Sequence, residues 1–198
     1  SFRTVSIENT TQLKEKGSRF IAFIFPIQSE LHFKKRMIEL KSDFPDAVHH
    51  CFAFRLITET NLERFSDDGE PSGTAGKPIL GQLKSADISN CALVVVRYFG
   101  GIKLGTGGLI KAYKTVAKQV IENATIVLDE LKTVVKISCG FEQSGNIMSL
   151  LKKHRVEIRK KIGSDLLELE ILVPIGTLKA LENEISQLDK TRIIHPPQ

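Results

Sequence analysis

The amino-acid sequence predicts an α+β protein of two domains, and three observations carry that prediction. The chain has 198 residues, enough for one ordinary domain or two small ones and no more. Its last 73 residues alternate apolar periodicities in the order β-α-β-β-α-β, the arrangement of a ferredoxin-like domain. Nine of its 14 glycines crowd into residues 69–108, so one loop-rich stretch stands apart from a remainder that reads as regular structure. The domains expected are 1–125 and 126–198.

In chain order, Phe20 to Ile27 is apolar, aromatic and β-branched, and Pro26 closes it near its end, which predicts a strand. Ser29 is placed to cap a helix running to about Lys41, because Phe33, Met37, Leu40 and Phe44 recur at helical spacing. A second strand is expected from Val48 to Ile57. Cys91 to Val96 is apolar at every position, the pattern of a central strand buried on both faces. Gly105 to Ala124 predicts a helix with Leu109, Tyr113, Val116 and Val120 on one face and Lys111, Lys114 and Lys118 on another. In the second domain, Ile126 to Ser138 predicts a strand and Glu142 to His154 a helix. A hairpin then turns at Gly163-Ser164, with Arg159 expected opposite Glu168. Thr177 to Leu188 is helical, and Thr191 to Ile194 closes the sheet.

Composition excludes several classes. Hydrophobic residues make up 41% and charged residues 26%, against a disordered tail, a collagen-like fibre or a coiled-coil rod. No apolar run approaches the roughly 20 residues of a membrane helix, and the first 30 residues show no secretory signal. Three scattered cysteines, Cys51, Cys91 and Cys139, fit a reducing compartment, so a cytoplasmic protein is expected. The net charge is +5. The first domain has 17 Lys/Arg against 13 Asp/Glu and the second 11 against 10, so the basic excess sits in the first. No acidic residue occurs between Ile88 and Ile121.

Four stretches carry chemistry. Asp67, Asp68 and Glu70 in the run Asp67 to Pro78 could hold Mg²⁺ through oxygen ligands. Alternatively Ser72 or Thr74 caps a helix beginning near Ala75, with the acids at its positive end. The run Arg97 to Gly108 joins a buried strand to a basic helix, so its backbone N–H groups suit a phosphate; tight helix-on-strand packing would also explain its glycines. Its spacing matches neither the P-loop nor the dinucleotide pattern. His49 and Cys51 share one strand face and His50 the other, too few ligands for zinc on either side. A His49–Cys51 nucleophile lacks an orienting third residue, so packing is the default. Finally Lys152-Lys153-His154-Arg155 and Arg159-Lys160-Lys161 could meet nucleic acid, or be offset by hairpin glutamates; with both tyrosines and Phe99 in the first domain, stacking on single-stranded bases is not expected there.

The runs DDGEPSGTAGKPIL and VVRYFGGIKLGTGGLIKAY closely resemble the paired signature of the IMPACT family, including its bacterial YigZ-like members. His49, Cys51, Phe52, Ala53, Phe54 and Arg55 look like the family's H-x-C-[YF]-A-[YF]-R strand. The resemblance implies a first domain similar to the second domain of ribosomal protein S5. It also implies a tail similar to the last domain of elongation factor G, in agreement with the β-α-β-β-α-β order. It implies a link to translation as well: eukaryotic relatives bind the activator of a starvation-responsive initiation-factor kinase and associate with ribosomes. The RWD domain that precedes the shared domain in those relatives has no counterpart in these 198 residues, so the kinase-regulating role is not expected to carry over.

The expected function is therefore that of an RNA- or ribosome-associated protein that modulates translation, with no cofactor, no membrane and no assigned catalytic residue. One binding surface is expected from Asp67, Asp68, Gly69, Glu70, Pro71, Ser72, Gly73, Thr74, Gly76 and Lys77. Arg97, Tyr98, Phe99, Gly100, Gly101, Lys103, Gly105, Gly107, Gly108, Lys111 and Lys114 would complete it. His49, Cys51 and Arg55 would support it from beneath. Two alternatives stay open: a Mg²⁺-dependent enzyme acting on a nucleotide or another phosphate-bearing small molecule, and a protein–protein adaptor in translational stress control.

Overall fold

The computed structural model describes residues 1–57, 61–163 and 166–194, which form two compact units, 1–129 and 130–198. The first contains β1 (Phe2–Val5), β2 (Asn9–Glu15), β3 (Ser18–Pro26), α1 (Glu30–Asp43), β4 (His49–Leu56) and β5 (Leu62–Ser66). It continues with α2 (Gly76–Ser85), β6 (Cys91–Tyr98), α3 (Gly105–Glu122) and β7 (Ile126–Asp129). An antiparallel sheet runs in the order β2-β3-β6-β4-β5.

Strand β6 lies at the centre of this sheet, which explains its unbroken apolar run. Cys91, Leu93 and Val95 point into a core with Ile79, Leu83, Val116 and Val120 of α2 and α3. Ala92, Val94 and Val96 point the other way, into a core with Phe33, Met37 and Leu40 of α1. Alternation continues past the apolar run, so Arg97 falls on the α2/α3 face and Tyr98 on the α1 face. Ser29 caps α1 as expected, accepting the His32 N–H at 3.1 Å.

The second unit holds β8 (Lys132–Cys139), a 3₁₀ turn at Phe141–Gln143, α4 (Ser144–Lys153), β9 (Glu157–Gly163), β10 (Leu167–Pro174), α5 (Ile175–Ile185) and β11 (Thr191–Ile194). Its antiparallel sheet has the order β11-β8-β10-β9, as the ferredoxin-like reading requires. The core lies between one sheet face and the two helices: Ile137, Leu169 and Ile171 meet Ile147, Leu151, Leu181 and Ile185.

Two expectations change here. The single strand expected over Ile126 to Ser138 is two strands with different partners. Its first part, β7, pairs antiparallel with β1 from Val5↔Ile126 to Phe2↔Asp129, and so belongs to the first unit. In the second hairpin, Glu168 stands opposite Ile162 rather than Arg159, because the ladder closes at Gly163↔Leu167; a separate β-bulge between Glu170 and Ile171 leaves Arg159 as an extra residue on β9. Ser164 of the expected turn lies outside the described residues. Strands β1, β2 and β5 leave no clear trace in the sequence; β2 and β5 are edge strands with few buried side chains, so little selects for apolar alternation.

The glycines of the first unit divide by what surrounds them. Lys16 and Gly17 both adopt positive φ in the two-residue turn between β2 and β3, the geometry that matches strand twist. The loop after β6 crosses this turn so closely that a Cβ at Gly100 would overlap the Gly17 backbone and the Ser18 nitrogen. At Gly107, in the first turn of α3, a Cβ would meet nothing within 4 Å and φ is not positive. Gly100→Ala is accordingly expected to destabilise the protein by about 3 kcal/mol. Gly107→Ala is expected to stabilise it by about 0.5–1 kcal/mol through helix propensity. Urea denaturation followed by circular dichroism reads both signs.

Candidate functional site

Both glycine-rich runs converge at one end of the first sheet, on its α2/α3 face, and the residue that joins them is Glu70. Its carboxylate is buried, and Oε1 accepts from Arg97 at 2.5 Å and from the Tyr113 hydroxyl at 2.7 Å. Each partner arrives by a simple periodicity. Arg97 follows Val95 on the same face of β6, and Tyr113 lies one helical repeat from Leu109 on the buried stripe of α3. Arg97 also donates to Ser18 Oγ at 3.3 Å and lies against the rings of Phe20 and Phe99. Phe20 meets Tyr113 edge to face at 5.1 Å. Three elements are thus tied through one carboxylate.

The acidic run is ordered by its own side chains. Asp67 accepts backbone N–H groups from Gly73, Ala75 and Gly76 at 2.8–3.0 Å, so it caps α2 from outside the helix. Ala75, at the cap position, makes no side-chain bond of its own, and Thr74 instead donates to the Pro71 carbonyl. The cap expected from Ser72 or Thr74 is therefore supplied by Asp67. Burial disfavours its charged form, but the three amides together with Lys77 outweigh that and hold its carboxyl below the usual range. Asp68 Oδ2 accepts the His50 backbone N–H at 2.6 Å. The three carboxylates that could have shared a Mg²⁺ thus serve three different partners. Among the described residues, no group of three or more metal-ligating side chains is assembled.

Beneath this loop, His49 Nδ1 donates to the Asp68 carbonyl at 2.7 Å, leaving Nε2 3.8 Å from Glu70 Oε2. Cys51 Sγ donates to the Asp67 carbonyl at 3.0 Å and lies 3.2 Å from the Tyr113 hydroxyl. Burial pushes the Cys51 thiol well above its ordinary value, and the Tyr113 phenol likewise. Cys51 and His49 are each bonded to the acidic loop's carbonyls rather than to each other, the arrangement of packed supporting side chains.

Placement of the other expected residues is mixed. Glu70, Thr74, Gly76 and Arg97 are buried and serve as support rather than surface. Tyr98 faces the α1 side, under the guanidinium of Arg19. Arg55 sits at the far end of β4, bonded to the Ile88 carbonyl and Glu63. What remains exposed is Gly69, Pro71, Ser72 and Lys77 from the first run. From the second, Phe99, Gly100, Gly101, Lys103, Gly105, Gly107, Lys111 and Lys114 are exposed. No side chain caps α3, and a Cβ at Gly101, Gly105 or Gly107 would meet nothing within 4 Å. The glycines there leave bare backbone beside lysines instead of allowing tight packing. Tyr113 and Ser18 are members of the cluster that the sequence alone does not assign to the site. A tyrosine on an otherwise apolar helix face is the available signal, since a buried hydroxyl needs a partner.

Removing one partner of the buried pair should be severe. Glu70→Gln is expected to destabilise by about 3–5 kcal/mol because Arg97 stays buried without its counter-charge. Tyr113→Phe is expected to cost about 1–2 kcal/mol. Asp67→Asn should lose about 1 kcal/mol of capping near neutral pH. The folded carboxyl of Asp67 is depressed, so its contribution is fully present above the ordinary carboxylate pKa and disappears as pH falls through the folded value. The urea midpoints of Asp67→Asn and the parent protein should therefore converge in acid.

Comparison with known proteins agrees with this architecture. Residues 16–121 match the family model for the Impact N-terminal domain. An IMPACT family member of Haemophilus influenzae is 33% identical over 181 residues, covering 90% of this chain and 88% of that protein. The IMPACT family member YigZ of Escherichia coli is 39% identical over 138 residues, covering 69% and 68%. A solved structure described as a hypothetical protein superposes with a TM-score of 0.73 at 28% identity, over 100% of this chain and 98% of the other. No helix among the described residues is long and apolar enough to cross a membrane.

Proposed function

Because the chain belongs to the IMPACT family, we propose that it acts in the control of translation by binding RNA, ribosomal RNA above all, through the exposed start of α3. One observation carries this reading: Lys103, Lys111 and Lys114 stand exposed beside the bare backbone of Gly101, Gly105 and Gly107, in a stretch without a single acidic residue. Among the described residues, none of the three lysines has an ion-pair partner. The uncapped N–H groups at the head of α3 add donors and the positive end of a helix dipole, both suited to a phosphate oxygen. Glu70, Arg97 and Tyr113 act from beneath by holding the two glycine runs in fixed relation. The link to translation rests on the family resemblance.

The test is RNA binding across a salt series, with cosedimentation on ribosomes as a second readout. Affinity should fall steeply with salt, and Lys103→Ala, Lys111→Ala and Lys114→Ala should each lower the slope of log K against log salt by about 0.7–0.9. A salt-independent profile, or three alanine variants that bind like the parent, would refute the assignment. Gly107→Ala adds a sharper criterion. It should raise stability yet weaken RNA binding, since its methyl group occupies the space the backbone leaves open.

A further inference from the structure

The second unit presents cations of two kinds, and the difference identifies a separate surface. Lys153 and His154 both bond Glu184 of α5, at 2.7–3.0 Å. Those charges are answered within the unit. Lys152, Arg155, Arg159 and Lys161 are exposed and make no ion pair with any described residue. Lys152 lies in the last turn of α4 and Arg155 between α4 and β9, while Arg159 and Lys161 lie on β9, an edge strand of the sheet. Its seven residues offer a track of roughly 20 Å. At Arg159 the bulge interrupts the ladder, so this residue has no position opposite β10.

Cations and a bulge on an edge strand can serve merely to prevent strand-to-strand association. They do not account for what stands at the end of the track. Phe141, in the 3₁₀ turn before α4, is 49% exposed although it is a large aromatic side chain. Its ring lies against Gly163, the last residue of β9, where a Cβ would come within 3.0 Å of Phe141 Cζ. The glycine therefore lets the ring lie beside the basic strand without burying it.

We infer that the β9 edge and Phe141 form a second RNA contact in which single-stranded RNA runs its phosphates along Lys152, Arg155, Arg159 and Lys161 and stacks a base on Phe141. Cations tracking a backbone beside an exposed aromatic ring are the arrangement that suits unpaired strands, because every base has a face to stack. A duplex keeps its bases stacked on each other and gains nothing from the ring. The inference rests on the RNA reading of the first unit but uses different residues in a different unit.

The experiment is fluorescence anisotropy on the full chain with a labelled single-stranded RNA and a labelled RNA duplex, at several salt concentrations. Phe141→Ala should weaken single-strand binding on the order of tenfold while leaving duplex binding and the salt slope unchanged; Phe141→Tyr should restore it. The double variant Arg159→Ala/Lys161→Ala should lower the single-strand slope by about 0.7 for each phosphate that the protein no longer neutralises. Thermal unfolding of each variant establishes that the weaker binding does not come from unfolding. If the Lys103, Lys111 and Lys114 variants lose affinity while those at Phe141, Arg159 and Lys161 do not, this inference falls and the first-unit assignment stands. The reverse pattern overturns the first-unit assignment and supports the β9 surface. A parent protein that binds neither RNA overturns both.

Discussion

A single buried carboxylate organises the first unit. Glu70 accepts from Arg97 on the central strand and from Tyr113 on the longest helix, and it is carried by the loop that leads into α2. An arginine with 5% of its surface exposed is tolerable only with a close counter-charge, and that counter-charge lies on a loop. The loop must therefore come to the arginine. Asp67 and Asp68 then determine the path on either side, one by capping α2 and the other by holding the β4 backbone. The acids that most resemble a metal site in sequence are thus the frame of a loop, and the exposed glycine backbone beyond it inherits that rigidity.

Legibility of the sequence follows the strength of the physical signal at each element. Strand β6 is readable because a strand buried on both faces must be apolar throughout, and α3 because a stripe of Leu109, Tyr113, Val116 and Val120 has one periodic explanation. Strands β2 and β5 escape because an edge strand with one weakly buried face selects for little. The boundary between the units shifts from its expected place for a different reason: Ile126 to Ser138 reads as one strand, yet it breaks at residues 130–131 and its two parts take different pairing partners. Periodicity reports how a segment is buried. It is silent about which strand lies next to it.

The same limit governs the site. That residues 67–78 and 97–113 belong together is carried by family resemblance, since nothing local in Glu70 announces Arg97 as its partner, 27 residues away. Burial then sorts the candidates in a way that residue type could not. Arg97 and Lys103 are equally basic in the sequence, yet one is enclosed and neutralised while the other stands in solvent. The second unit repeats the lesson with Lys153 and Lys152, neighbours that face a glutamate and open water respectively.

The pairing of β1 with β7 has a bearing on how the protein is made. Residues 2–5 find their ladder partners at residues 126–129, so the two-stranded sheet is closed by the most sequence-distant contacts in the first unit. Closing a loop of that length carries a large entropic penalty that is not repaid until the intervening sheet has formed. During synthesis, the antiparallel ladder of β1 stays open until the body of the unit has emerged from the ribosome. When β7 arrives, it completes the first unit just as the second begins at residue 130. The strand that completes one unit therefore ends at the residue where the next begins.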